Sequence, residues 1–544
     1  MPDVYSTIST RTTPQTEQAT AAQVRNSAGG FTFKVTPLTR LRRFLTLGSD
    51  SGTYYVGARE LTKDNAAVVL DYARNDTRTL VDEIVAISTA GRAPRQQPAL
   101  FALAAAASLG DETGRAYALA HLPQVARTAT HLFLFATYVE QFRGWGRALR
   151  TAVGNWYTTK PVSAVEHQAV KYRNREGWTH RDLLRLAHPH TDDPARKALF
   201  DWICGRHPDI AQLPLVEGFT RAQIAGAKLL PDLIRQYKLT WEMLPPDALN
   251  DPTAWEALLD NGMPQTALIR QLPRLTRLNL LTPMAARTAK VAEQLADPEQ
   301  LRRARVHPMN LLVAHRTYAS GRSAMGKGEW KPVSRITDAL DAAFYQAFGN
   351  VEQTGKRTML ALDVSGSMTA MIGGMPLSAR EASAAMALVT AATEPAHQIV
   401  GFTSPGGMGY YGSNTNALIG ESLYGVTQLD ISPRQRLGDA VDAVSRLPFG
   451  GTDCSAPMLY ATAKGIEVDL FVVYTDNETW AGQMHPHQAL RQYRERVNPN
   501  ARLAVVGMTA TNFTIADPHD AGMLDVAGFD TAVPNLLADF ARGL

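Results

Sequence analysis

Thr358-Met359-Leu360-Ala361-Leu362-Asp363-Val364-Ser365-Gly366-Ser367 decides how the last third of the chain folds. A short apolar run without polar alternation, ending in an acid and a Ser/Gly turn, reads as a strand buried on both faces that stops at a polar loop. Three further runs of this kind follow, at 398–402, 468–474 and 502–506, with helical patterns between them at 378–393, 437–447, 455–464 and 486–497. Strands alternating with helices specify a doubly wound, largely parallel sheet, whose ligands sit outside the carboxyl ends of the strands.

Polar groups gather at those ends. The first strand runs into Asp363, Ser365 and Ser367, the strand at 468–474 runs into Asp476, and Gly450-Gly451-Thr452-Asp453 precedes a helix. Two carboxylates (Asp363 and Asp476) and three hydroxyls (Ser365, Ser367 and Thr452) make an oxygen-only set. Such a set suits a hard divalent cation, Mg²⁺ first and Mn²⁺ or Ca²⁺ as alternatives, because Mg²⁺ keeps several waters and needs few protein ligands. Alone, Asp-x-Ser-x-Ser also describes a turn that caps a helix; three loops in this order on an α/β pattern favour the metal. Asp363-x-Ser365-x-Ser367, then Thr452, then Asp476, resembles the metal-ion-dependent adhesion site (MIDAS) of von Willebrand factor A domains. The resemblance implies an open coordination position that accepts a partner's carboxylate. No residue is placed as a general base for hydrolysis.

Upstream the texture differs. Helical stretches such as 66–77, 79–89, 98–109 and 125–142 recur without a fixed period, punctuated by Gly, Pro and Asn/Asp, which suggests an irregular α-solenoid. A strand signal stands out only at 52–57, and residues 1–25 read as an N-terminal arm open to disorder. The chain of 544 residues is long enough for more than one domain, and its two cysteines, Cys204 and Cys454, exclude a disulfide framework and a Cys-rich zinc module. No secretory leader is expected from its polar first twenty residues, and the longest apolar stretches, 99–109 and 132–139, fall short of the ~20 residues a membrane helix needs. A cytoplasmic protein without membrane attachment is expected.

Charge divides the chain in the same place. Residues 357–544 carry 11 Lys and Arg against 18 Asp and Glu, and residues 1–356 carry 44 against 33. The basic part is a candidate for polyanions. Its most informative stretch spans 161–190. Ser163 and Glu166 are spaced for a capping box, on a helix placing His167, Lys171 and Arg175 in one stripe. Gly177-Trp178 breaks that helix and Thr179 caps the next, with His180 and Arg181 in its first turn and Arg185 one turn later. These side chains and the free N–H groups of the helix start can converge on phosphates; a solvated helix face is the plainer alternative. Arg42 and Arg43 form a further basic pair, one of which can equally snorkel beside an apolar face. Other clusters are Arg143, Arg147 and Arg150 with Trp145 and Trp156 nearby, and Arg302, Arg303, Arg305 and His307.

Longer motifs span most of the chain: Arg40-Leu41-Arg42-Arg43-Phe44-Leu45, Gly177-Trp178-Thr179-His180-Arg181-Asp182-Leu183-Leu184-Arg185, Gly450-Gly451-Thr452-Asp453-Cys454-Ser455 and Thr475-Asp476-Asn477-Glu478-Thr479. Together they resemble the Ro ribonucleoprotein family, including its bacterial members. That resemblance implies a ring-like α-helical, HEAT-like TROVE domain at 26–356 and a von Willebrand factor A domain at 357–544. It implies a non-enzymatic, monomeric scaffold that binds Y RNA on a basic outer surface and passes single-stranded 3′ ends of misfolded or precursor non-coding RNA through a central hole. Bacterial members work with an exoribonuclease of the polynucleotide phosphorylase type. Lys171 and His180 lie in the motif carrying the family's RNA surface; geometry adds Arg175, Arg181 and Arg185, and Arg42 and Arg43 are further RNA-binding candidates from a separate cluster. The rival reading is a metal-dependent protein-adhesion scaffold without specific RNA binding.

Overall fold

Every residue of strand Thr358–Asp363 is buried. In the computed structural model this strand pairs in parallel with His397–Phe402 on one side and Leu470–Thr475 on the other. Arg502–Gly507 and Met523–Ala527 continue the sheet in parallel, and Val426–Gln428 closes the far edge antiparallel. Because successive side chains of a strand point to opposite faces, Leu360, Leu362, Val472 and Tyr474 pack with helices Ala379–Thr393, Leu437–Ser445 and Val533–Arg542, whereas Met359, Ala361, Phe471 and Val473 pack with Ala456–Lys464 and Pro486–Arg496. Chain order reverses direction across the sheet at Thr358–Asp363. Its carboxyl end, beside that of Leu470–Thr475, is therefore the crevice where a doubly wound sheet holds its ligand.

The structure describes residues 12–47, 66–89, 96–323, 328–351, 353–372, 376–403, 424–447, 450–508, 513–527 and 533–543. The strand expected at 52–57 lies outside them. From Pro37–Leu47 to Ser334–Gln346 the chain is an array of helices, each packed on its neighbours around one continuous apolar core. The most apolar stretch becomes helix Gln97–Leu109, buried on all sides between Ala67–Asn75 and Ala129–Phe142. Among the described residues no helix is long and apolar enough to cross a membrane.

Both ends of the array meet the sheet domain. At one end, strand Phe31–Lys34 pairs antiparallel with Gln23–Arg25 and with Phe513–Thr514. Beside it Arg43 donates through Nε to Asp525 Oδ2 at 2.8 Å. At the other end Arg316 meets Glu381 at 3.0 Å, Arg436 meets Asp341, and the Leu437 N–H donates to the Tyr345 hydroxyl at 2.9 Å. The sheet domain thus closes the helical array into a ring.

Two expectations about this half are corrected. Residues 12–25 are no loose arm: they lie against the sheet domain, with Gln15 fully buried and the Glu17 carbonyl 2.8 Å from His485 Nε2. The helix expected to run through 175 ends at Lys171 and gives way to a hairpin, Asn174–Arg175 with Trp178–Thr179, turned by Glu176 and Gly177. Both turn residues have positive φ, 51° and 84°, as a two-residue turn matched to strand twist demands.

Candidate metal centre and nucleic-acid interface

Asp363, last residue of the central strand, is 1% exposed. Its Oδ1 accepts the Ser365 N–H at 2.8 Å and its Oδ2 accepts the Thr475 hydroxyl at 2.8 Å. Burial, then the nearby charge of Asp476, pushes its carboxyl up to about 6. The Ser365 and Ser367 hydroxyl oxygens are 3.0 Å apart. Arg380, on the helix behind, holds the loop by donating to the carbonyl of Ser365 at 3.2 Å. Thr452 is buried, and its carbonyl accepts the N–H groups of Trp480 and Ala481, both at 3.1 Å, which fastens its turn to the segment after Asp476.

The structure brings Asp363, Ser365, Ser367 and Asp476 together and sets the Thr452 turn on the same edge. Among the described residues no group of three or more His, Cys, Asp or Glu could hold a metal, so an ion here would rest on two carboxylates and hydroxyls. The donor set fits a hard divalent cation: a buried Asp363 carboxylate with the charge of Asp476 nearby, beside a hydroxyl pair, is an arrangement an added positive charge relieves. Thr475, Arg380 and Asp453, which shape these loops, were not singled out by the sequence reading; for Thr475 the signal was its place beside Asp476 at the end of a strand.

The basic surface differs more from expectation. Helix Val162–Lys171 starts without a side-chain cap, and Glu166 is buried instead, its Oε1 accepting the N–H groups of Leu215 at 2.8 Å and Val216 at 2.9 Å. It caps the neighbouring helix Pro214–Ile224. Lys171 lies 3.5 Å from Glu242 and over the Tyr172 ring. Arg175 projects from the hairpin, not from a helical stripe, with 61% of its side chain exposed. Thr179 does cap the next helix, His180–Ala187, in a reciprocal box with Asp182.

His180 is not on the surface. It is 3% exposed, its Nδ1 is 2.8 Å from the Tyr157 hydroxyl, Phe133 meets it edge-on, and burial lowers its pKa to about 4. It anchors the helix start from inside, leaving Arg181 and Arg185 to project. Arg43 is likewise corrected: with 4% of its side chain exposed it is paired with Asp525, 6% exposed, across the domain seam. Arg42 remains outside but is held by Glu83 in a two-pronged bond of 2.9 and 2.7 Å. Arg181, Arg185, Arg143, Arg147 and Arg150 are exposed and form no ion pair among the described residues. Trp156 is core, while Trp145 packs against Trp178 at 5.4 Å between centroids.

Comparison with known proteins agrees with both halves. The TROVE domain family matches residues 24–209 and 233–356, and the Ro60 vWA domain family matches 357–541. The RNA-binding protein RO60 of Deinococcus radiodurans is 41% identical over 97% of each chain, and that of Caenorhabditis elegans is 35% identical over 97% of this chain and 91% of its own. The crystal structure of the D. radiodurans Ro (RSR) protein superposes with a TM-score of 0.76 at 40% identity, covering 93% of this chain and 100% of that one. With a TROVE helical array closed by a von Willebrand factor A sheet domain, this chain belongs to the Ro60 family.

Proposed function

We propose that this protein is an RNA-binding scaffold of a ribonucleoprotein, with no catalysis of its own. Its relatives are RNA-binding proteins by name, and one structural observation carries the reading to this chain. Several arginines are tied to acids here, Arg235 and Arg287 to Asp260, Arg302 to Glu299, Arg357 to Asp469. Arg181 and Arg185, beside the hairpin that bears Arg175, are exposed and have no such partner among the described residues. Like charges held close without acids cost folding energy that a phosphate backbone would recover.

Y RNA is the ligand of this outer surface in our reading, and the closed helical array takes the single-stranded 3′ end of misfolded or precursor non-coding RNA through its centre. Lys171, neutralised by Glu242, acts as a secondary contact. The chain works as a cytoplasmic monomer and hands RNA to an exoribonuclease of the polynucleotide phosphorylase type. Asp363, Ser365, Ser367, Thr452 and Asp476 would hold a divalent cation, Mg²⁺ first, directly or through water. When bound, the ion supplies a positive charge with an open position for an anionic group of a partner. Arg380 and Thr475 keep Asp363 and its loop in place for it.

Crosslinking in cells followed by sequencing of the attached RNA tests the proposal. Enrichment of a small structured RNA and of precursors with 3′ extensions is expected; recovery of RNA in proportion to its cellular abundance would overturn it.

A further inference from the structure

Gln15 is fully buried although it stands near the start of a polar segment. Its Nε2 donates to Asp453 Oδ1 at 2.8 Å and to the Met484 carbonyl at 2.9 Å, and its Oε1 accepts the Thr479 hydroxyl at 2.6 Å. Its own N–H donates to the Gly482 carbonyl at 2.9 Å and its carbonyl accepts the Phe31 N–H at 2.8 Å. Every polar group of this residue is used, and all but the last bond go to two loops. One loop carries Thr452 immediately before Asp453; the other follows Asp476 directly. Farther along the same segment Asn26 Nδ2 donates to the Thr479 carbonyl at 2.8 Å, and the Ala28 N–H to Glu478 Oε2 at 3.0 Å.

The backbones themselves are pressed together. A Cβ on Gly30 would stand 2.1 Å from the Thr479 carbonyl oxygen, and one on Gly482 would stand 2.3 Å from both Asp453 Oδ1 and Gln15 Nε2. Glycine is required at both places by the contact of the segment with the loops, whatever their own backbone angles. From these contacts we infer that residues 13–30 form a strap that sets the spacing of the Thr452 and Asp476 loops, with Gln15 as its positioning residue, and that cation affinity depends on it. The inference rests on reading those loops as a divalent-cation site. Residues that hold ligand-bearing loops without touching the ion still govern affinity, because they fix where the ligands point before the ion arrives. Coupling of this kind is reciprocal: an ion that prefers the strapped arrangement must tighten the strap.

The test uses the full chain and Mn²⁺ alone, titrated by calorimetry below the unfolding temperature, with hydrogen exchange of the strap in parallel. Wild type is expected to bind one Mn²⁺. Gln15→Ala, which removes the side-chain bonds, and Gly30→Ala, which lifts the strap by steric contact with its own donors intact, should each weaken binding about tenfold. Thr16→Ala, at an exposed strap position, should bind as wild type. Mn²⁺ should slow exchange at the Gln15 and Phe31 amides of wild type, a readout that survives even if a variant fails to fold. A Gln15→Ala protein that melts earlier yet binds Mn²⁺ as wild type, or strap amides indifferent to Mn²⁺, would reduce the strap to a structural brace and overturn the inference. Absence of Mn²⁺ binding by wild type would overturn the cation reading itself and the inference with it.

Discussion

Arg43→Met removes a guanidinium from the domain seam while keeping most of its apolar stem. In the wild type Asp525 is held from both sides, Oδ2 by Arg43 at 2.6 Å and Oδ1 by the Thr514 hydroxyl at 2.6 Å, and Arg43 also reaches the Phe513 carbonyl at 3.4 Å. The substitution strands a carboxylate that is 6% exposed with a single neutral donor. Breaking one side of a buried pair costs about 3–5 kcal/mol, most of it the penalty of the uncompensated charge. Adding Asp525→Asn removes that charge and keeps an acceptor for Thr514, so the double variant should recover the greater part. Urea denaturation is the assay, since guanidinium would screen the pair. Limited proteolysis should show the seam opening first. RNA affinity and its salt slope should stay at wild-type values in the folded variant. A midpoint shift equivalent to less than about 0.5 kcal/mol, the scale of an ordinary surface substitution, would refute the reasoning. So would a salt slope flattened by about 0.7–0.9, the signature of a lost phosphate contact.

Other consequences are open to equally direct checks. Replacing Arg181 and Arg185 together by Ala should flatten the log-log salt slope of RNA binding by about 0.9 per lost contact to a duplex, while His180→Gln leaves the slope unchanged. Because His180 is neutral when folded and titrates near 4 instead of 6.5, its contribution is complete above pH 6.5 and is lost as pH falls toward 4. It amounts to about 3 kcal/mol, so the urea midpoint of His180→Gln should depend less on pH across that window than wild type's. Asp363→Ala with Ser365→Ala should abolish Mg²⁺ or Mn²⁺ binding by calorimetry and leave the helical array folded, with little change in RNA affinity; undiminished binding would place the ion elsewhere. Glu166→Ala uncaps Pro214–Ile224 and should cost about 1–2 kcal/mol in the same urea assay.

What the sequence made legible was local. Strand Thr358–Asp363 and its polar loop could be read because an apolar run ending in Asp-x-Ser-x-Ser carries its own signal, and Thr179 could be read as a cap because its partner Asp182 stands three residues on. What escaped depends on distant partners. Arg42 and Arg43 are neighbours of the same type, and only Asp525, nearly the whole chain away, decides which is buried. Glu166 stands at capping-box spacing from Ser163, yet the N–H groups it satisfies belong to residues 215 and 216. Ending the helix at Lys171 moved Arg175 onto a hairpin and turned His180 inward against Tyr157. Residues 12–25 lack apolar periodicity because hydrogen bonds to the 452–455 and 479–485 loops hold much of the segment in place. The edge strands Val426–Gln428 and Phe513–Thr514 are too short to show a pattern.

The central claim is that the helical array binds structured RNA and takes its single-stranded 3′ end. Titrating the protein against one structured RNA, with and without a single-stranded 3′ tail and from low to moderate salt, tests it most directly. Tighter binding of the tailed RNA, with a steep salt slope that Arg181→Ala and Arg185→Ala flatten, is the predicted result. Equal affinity for tailed and tailless RNA, at the level of a non-specific basic protein, would contradict it.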